Sequence, residues 1–301
     1  MQARIPSHLG IFSDQIYRWR LHHYEYAWVR QIIVDALSSK QEFTNLVLDI
    51  DEYTTEESPR PIPPLSLESI QGLSSITVLG GRAPQCRALW HPLQRLLSHN
   101  INLKSLRLVQ DESNWNFRDI DDLLDAPKVD ELLTELPPES QLVELISDTL
   151  PLTGFSIPLH RLKSLTTLRI ASDETASSFW SGLMAEGIML CDIEANLADS
   201  MHAFLEYISS YTGIERITLG CLAGSNNWGI MAEKFYSQAL PLHHATLRHL
   251  SLQPRHIKEM YLDQINAGYL SSLSHLDTLL LIMDEYTYDL VRRLKLPFLV
   301  A

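Results

Sequence analysis

Cysteine is scarce in this 301-residue chain: Cys86, Cys191 and Cys221 are the only three, and no two stand at CxxC spacing. An odd, scattered set argues against a disulfide framework and against a structural zinc site, and a reducing compartment is expected. Long apolar runs are lacking too. Met1–Gly10 (MQARIPSHLG) has no signal-peptide core, no uninterrupted run approaches the roughly 18 residues that span a bilayer, and no Asn-x-Ser/Thr sequon occurs. The cytoplasm or the nucleus is therefore expected, with no membrane association. Basic residues are few, 24 Lys+Arg against 37 Asp+Glu, for a formal charge of −13. Counterion-release binding needs clustered Lys and Arg, so nucleic acid is not an expected partner.

What the chain does have is a short recurring pattern: apolar, two variable, apolar, one variable, apolar. It reads Phe43-TN-Leu46-V-Leu48, Leu73-SS-Ile76-T-Val78, Leu103-KS-Leu106-R-Leu108 and Leu165-TT-Leu168-R-Ile170. It continues through Ile188-ML-Cys191-D-Ile193, Ile214-ER-Ile217-T-Leu219, Leu247-RH-Leu250-S-Leu252 and Leu276-DT-Leu279-L-Leu281, with a degraded copy at Leu142-VE-Leu145-I-Ser147. Alternation in the second half of each copy predicts a short strand with one buried face. The spacers Ala83–His99, Ser177–Glu186, Asp199–Ser210 and Ile230–Leu240 space their apolar residues at three and four positions, which predicts helices.

These copies resemble the leucine-rich repeat family, whose unit is LxxLxLxxN. The resemblance implies an α/β solenoid, or horseshoe, of about eight or nine irregular units over residues 43–283. A parallel sheet would line its concave face and helices its convex face. Residues 1–42 then read as an N-terminal helical cap, with a helical rhythm over 14–38, and residues 284–301 as a C-terminal cap. The strands and the acidic balance are also similar to the repeat regions of fungal F-box proteins. That likeness implies a substrate-receptor-like part of a ubiquitin ligase, with a cullin ligase adaptor as partner. Residues 1–42 depart from it, showing no F-box.

Four Asp-Glu dipeptides begin three residues beyond the last apolar residue of a copy, at Asp51, Asp111, Asp173 and Asp284, and Asn196 holds the equivalent place once. In the family this position bonds the adjacent turn, so these five residues are expected to be turn caps. The alternative is a hard-cation site serving a metal-assisted hydrolase, but carboxylates sharing one ion must lie within about 2.6 Å of it, and these stand on strands at least two apart. No metal and no cofactor are expected.

No GxSxG, HExxH, GxxxxGK[S/T] or GxGxxG motif occurs. The pairs His22-His23 and His243-His244 lack ligand spacing and read as surface or loop residues. Cys191, in the middle apolar position of its copy, reads as a small buried hydrophobe, and Trp90, Phe179 and Trp180 as core. The chain is thus expected to be no enzyme but a protein-binding module. Its partner surface is expected on the concave face at Arg107, Arg169, Asp192, Glu194, Arg216, Thr218 and His249, with a middle row Val47, Thr77, Arg107, Arg169, Asp192, Thr218, Ser251, Leu280. A vestigial repeat protein without a dedicated partner is the remaining alternative.

Overall fold

A computed structural model of the chain describes residues 11–12, 16–21, 44–50, 66–79, 83–109, 128–148, 152, 157–170, 175–197, 200–220, 228–252, 268–270 and 272–281. The chain divides into two compact units, Met1–Leu150 with Ser156–Ser164, and Pro151–Phe155 with Leu165–Ala301. The repeat region expected over 43–283 is thus divided between them. Both units are α/β, built from parallel strands and helical segments.

In the first unit the strands are β1 (Ile11–Phe12), β2 (Ile16–Leu21), β3 (Asn45–Ile50), β4 (Ser75–Leu79), β5 (Ser105–Val109) and β6 (Glu144–Ser147). β1 pairs antiparallel with β2, and from β2 to β6 each strand lies parallel to the next. Helix α1 (Ala83–His99) joins β4 to β5, and α2 (Val129–Leu133) lies between β5 and β6. Ile76, Val78, Leu106 and Leu108 are buried while Thr77 and Arg107 between them are not, as period-two alternation requires. Leu93, Leu96 and Leu97 make the buried stripe of α1 at helical spacing. Trp90 donates its indole N–H to Glu131 Oε2 at 2.9 Å, tying α1 to α2.

The helical reading of residues 14–38 fails at Ile16–Leu21, which is a strand. Its sequence, IYRWRL, alternates apolar or aromatic residues with arginine, and register places Tyr17 and Trp19 opposite Leu46 and Leu48. Period two and an adjacent strand with open bonding groups outweigh the looser three-and-four spacing. Residues 22–43 and the expected cap at 284–301 lie outside the described residues.

The second unit contains β7 (Thr167–Ile170), β8 (Asp192–Asn196), β9 (Arg216–Gly220), β10 (His249–Leu252) and β11 (Thr278–Leu281), each parallel to the next. Helices α3 (Ser177–Ala185) and α4 (Met201–Ile208) fill the first two connections. The third is α5 (Trp228–Lys234), a π-turn at Phe235–Ala239 and the short α6 (Leu240–Leu242). Trp180 on α3 packs edge-on against Phe204 of α4, with ring centres 4.9 Å apart, and beside Tyr207 at 5.6 Å. Trp90, Phe179 and Trp180 are all core. α3 ends in a Schellman turn: Ile188 N–H reaches Leu183 O, Gly187 N–H reaches Met184 O, and Gly187 takes φ +67°.

One backbone device recurs at seven strand entries among the described residues. The residue before a strand offers its carbonyl to two successive N–H groups of the next copy. Thr44 O receives Ser74 and Ser75, Ser74 O receives Lys104 and Ser105, and Lys104 O receives Val143 and Glu144. In the second unit Thr166, Cys191, Glu215 and Arg248 play the same part. Cys191 therefore occupies the pre-strand position and not the middle apolar one. Register agrees, because Leu168 pairs with Ile193 and Ile193 with Ile217. This copy reads Leu190-CD-Ile193-E-Ala195, two residues later than the sequence pattern suggests. Ile188, the apparent first residue, is buried because it closes the Schellman turn, and Cys191 is only half-buried.

Candidate functional site

Parallel pairing without slippage turns alternation within strands into rows across them. In the first unit the outward rows are Asn45, Ser75, Ser105, Glu144 and Val47, Thr77, Arg107, Ile146. In the second they are Thr167, Asp192, Arg216, His249, Thr278 and Arg169, Glu194, Thr218, Ser251, Leu280. The corrected register moves Glu194 into the row of Arg169 and Thr218, where Asp192 is expected from the sequence pattern.

Of the residues expected to bind a partner, Arg107 belongs to the first unit and the other six to the second. Arg107 forms a two-pronged pair with Glu144, Nε to Oε1 at 2.6 Å and Nη2 to Oε2 at 2.9 Å, while Ser105 Oγ also donates to Oε1 at 2.6 Å. Its charge is answered within its own unit. Glu144 stands on the degraded copy, and register with Ser105 brings it to Arg107.

The second unit brings Arg169, Asp192, Arg216 and His249 together. Arg169 Nη2 donates to Asp192 Oδ2 at 2.7 Å, and Arg216 Nε lies 3.5 Å from the same oxygen. His249 is opposite Arg216 in register. Burial lowers the His249 pKa, the positive charges of Arg216 and Arg169 act the same way, and Asp192 opposes them. The imidazole is therefore neutral at pH 7. Glu194 and Thr218 are half-buried in the adjoining row, and Ser251 beside them is buried. Desolvation, with the carboxylates of Glu215 and Asp192, pushes the Cys191 thiol up, which makes it a poor nucleophile near neutrality.

Among the expected turn caps, Asp51, Asp111, Asp173 and Asp284 lie outside the described residues. Asn196 is the last residue of β8, opposite Gly220. A Cβ built on Gly220 would fall 2.0 Å from Asn196 Oδ1, so this glycine leaves room for the asparagine side chain.

A second set of polar residues escaped the sequence pattern altogether. They bind the turns that precede the strands. Asn100 is 1% exposed; its Oδ1 accepts Leu73 N–H at 2.8 Å and its Nδ2 donates to Ile70 O at 3.0 Å and Leu96 O at 2.7 Å. His243, also 1% exposed and so a buried turn residue where a surface or loop one is expected, does the same work in the connection between β9 and β10. Its Nδ1 accepts Ile214 N–H at 3.3 Å and its Nε2 donates to Ile208 O at 2.9 Å. Tyr207 Oη accepts Leu190 N–H at 3.1 Å and donates to Ile188 O at 3.0 Å, and Tyr211 Oη donates to Leu190 O at 3.0 Å. Burial pushes the Tyr207 phenol up to about 12 and that of Tyr211 higher still, so both remain donors. Arg161 donates from Nη1 to Thr134 O and Leu136 O. Four of these five residues share a mark in sequence, a polar or aromatic residue three or four places before the opening apolar residue: Asn100 before Leu103, Arg161 before Leu165, Tyr211 before Ile214, His243 before Leu247; Tyr207, inside α4, does not.

Among the described residues, no three of His, Cys, Asp and Glu are grouped to hold a metal ion, and no helix is long and apolar enough to cross a membrane. No family model matches the chain, and neither does any curated protein or solved structure.

Proposed function

We propose that the chain is a non-catalytic recognition module of the leucine-rich repeat class, which takes a protein partner on the outward face of its parallel strands. The observation that carries this reading is the pair of in-register outward rows, in which neighbouring strands hold different polar side chains side by side. Such a surface offers many contact points, and the chemistry gathered on it is that of recognition: arginines, carboxylates, hydroxyls and an imidazole at strand positions. As the finer form of the same reading, we propose that the partner is a substrate delivered to a cullin-based ubiquitin ligase, with the present chain as its receptor.

The test is to purify the tagged chain from cells that express it and to identify stoichiometric partners. Recovery of a protein that is lost from the Arg107→Glu, Arg169→Glu double variant supports recognition by this face. Recovery of a cullin and its adaptor as well supports the ligase reading. A chain that returns alone, or with partners indifferent to those substitutions, overturns the proposal.

A further inference from the structure

The outward face of the second unit sets two guanidinium groups against one carboxylate oxygen. Arg169 holds the hydrogen bond to Asp192 Oδ2, and Arg216 reaches that oxygen only at 3.5 Å, beyond ordinary hydrogen-bond length. The Arg216 side chain is 44% exposed. On the next strand, opposite Arg216, stands the half-buried His249. Two donors on neighbouring strands at one register position, with Cβ atoms about 5 Å apart, can close on the two oxygens of a single carboxylate.

Resting on the recognition reading above, we propose that Arg216 and His249 form the seat for a carboxylate side chain of the partner protein, so that the second unit recognises an acidic segment. The guanidinium fork supplies paired N–H donors and the imidazole a third. Asp192 and Glu194 on β8 flank the seat, and the chain carries a formal charge of −13. A polyanion such as a nucleic-acid backbone meets that repulsion along its whole length, whereas one seated carboxylate meets it only locally.

The seat also has a pH signature. The charged groups that reach His249 are Arg216 on β9, Asp192 on β8 and Arg169 on β7, while its partner on β11 is the uncharged Thr278. The two arginines together with burial disfavour the imidazolium, and an incoming carboxylate favours it. Binding therefore takes up a proton, and affinity rises as the pH falls toward the lowered value of the free imidazole.

The test follows the imidazole Cε1–H resonance of His249 in the full chain, assigned with His249→Gln, during titration with blocked tetraglutamate, tetraglutamine or inorganic phosphate. The expected result is a saturable movement with tetraglutamate alone, tighter at the lower pH. Arg216→Gln should weaken it on the order of tenfold. Arg95→Gln, which removes an exposed partner of Glu68 in the first unit, should leave it unchanged. An equal response to tetraglutamine, a response to phosphate but not to tetraglutamate, or an Arg216→Gln variant that still binds as well would overturn the seat. If tetraglutamate fails while the tagged chain still recovers a partner that depends on the outward face, the seat falls and the recognition reading stands.

Discussion

Asn100 in the first unit and His243 in the second hold equivalent turns by equivalent bonds. Each accepts the N–H of a copy's opening apolar residue and donates to a carbonyl of the preceding turn. The fold asks for one acceptor and one donor at fixed positions, and an amide or a neutral imidazole both answer. The difference lies in titration. Asparagine has no proton to gain, whereas a proton on His243 Nδ1 would face the Ile214 N–H donor. The outward faces differ in the same spirit, since Glu144 closes both prongs of Arg107 while Asp192 divides one oxygen between Arg169 and Arg216. The second unit has thus kept ionisable or incompletely satisfied groups where the first has neutral or closed ones.

The comparison is broken most severely at Trp180, which is fully buried and has Phe179, Phe204 and Tyr207 around its ring. Trp180→Ala should cost about 3–5 kcal/mol, and hydrogen exchange should place the loss in the second unit with the first little changed. Uniform loss across both units would show that they do not respond separately. Next comes Asn100→Ala, which strands Leu73 N–H and Ile70 O in a buried site and should cost about 2–3 kcal/mol, now with exchange rising around Leu73 in the first unit.

Acid should separate the latches. Burial lowers the folded pKa of His243, with its bond to Ile208 O opposing, so the unfolded chain binds the proton more readily. Stability contributed by the neutral imidazole is full above the unfolded value of about 6.5 and is lost as the pH falls from there through the lowered folded value. Exchange around Ile214 should accelerate below about pH 6.5 while that around Leu73 does not, and His243→Gln should flatten the response. The half-buried His249 shifts in the same direction, so His249→Gln is run in parallel, and a response that vanished with it instead would refute the role of His243.

Smaller effects refine the picture. Gly187→Ala forces a side chain into the left-handed turn after α3 and should cost about 1 kcal/mol in thermal unfolding, a change felt in the second unit only. Arg107→Gln opens the exposed pair with Glu144 and should cost no more than about 1 kcal/mol by denaturant titration, less at high salt.

Much of the architecture was legible because periodicity survives substitution. The run Ala83–His99 has its apolar residues on one stripe and is a helix over that span, and the alternation Leu106, Arg107, Leu108 is a strand with one buried face. Local conflict misled the reading at two places. IYRWRL carries both spacings, and the availability of β3 as a neighbour decided for strand. Ile188 and Cys191 imitate the repeat two residues early because a helix cap and a pre-strand carbonyl both sit well with apolar or small side chains.

The amino-acid order alone determined most of the secondary elements, with β2 and the start of β8 as exceptions, together with the acidic balance and the presence of arginine, carboxylate and histidine on outward strand positions, since these depend on neighbours one to four residues apart. Tertiary structure decided which charges meet. Arg107 finds Glu144 across 37 positions and Arg169 finds Asp192 across 23. Asn100 and His243 share hydrogen-bond capacity and a place just before the opening apolar residue of a copy but not a residue type, so residue identity does not bring them together. Only the register of parallel strands, which converts distance along the chain into adjacency at about 4.8 Å, makes their common purpose visible.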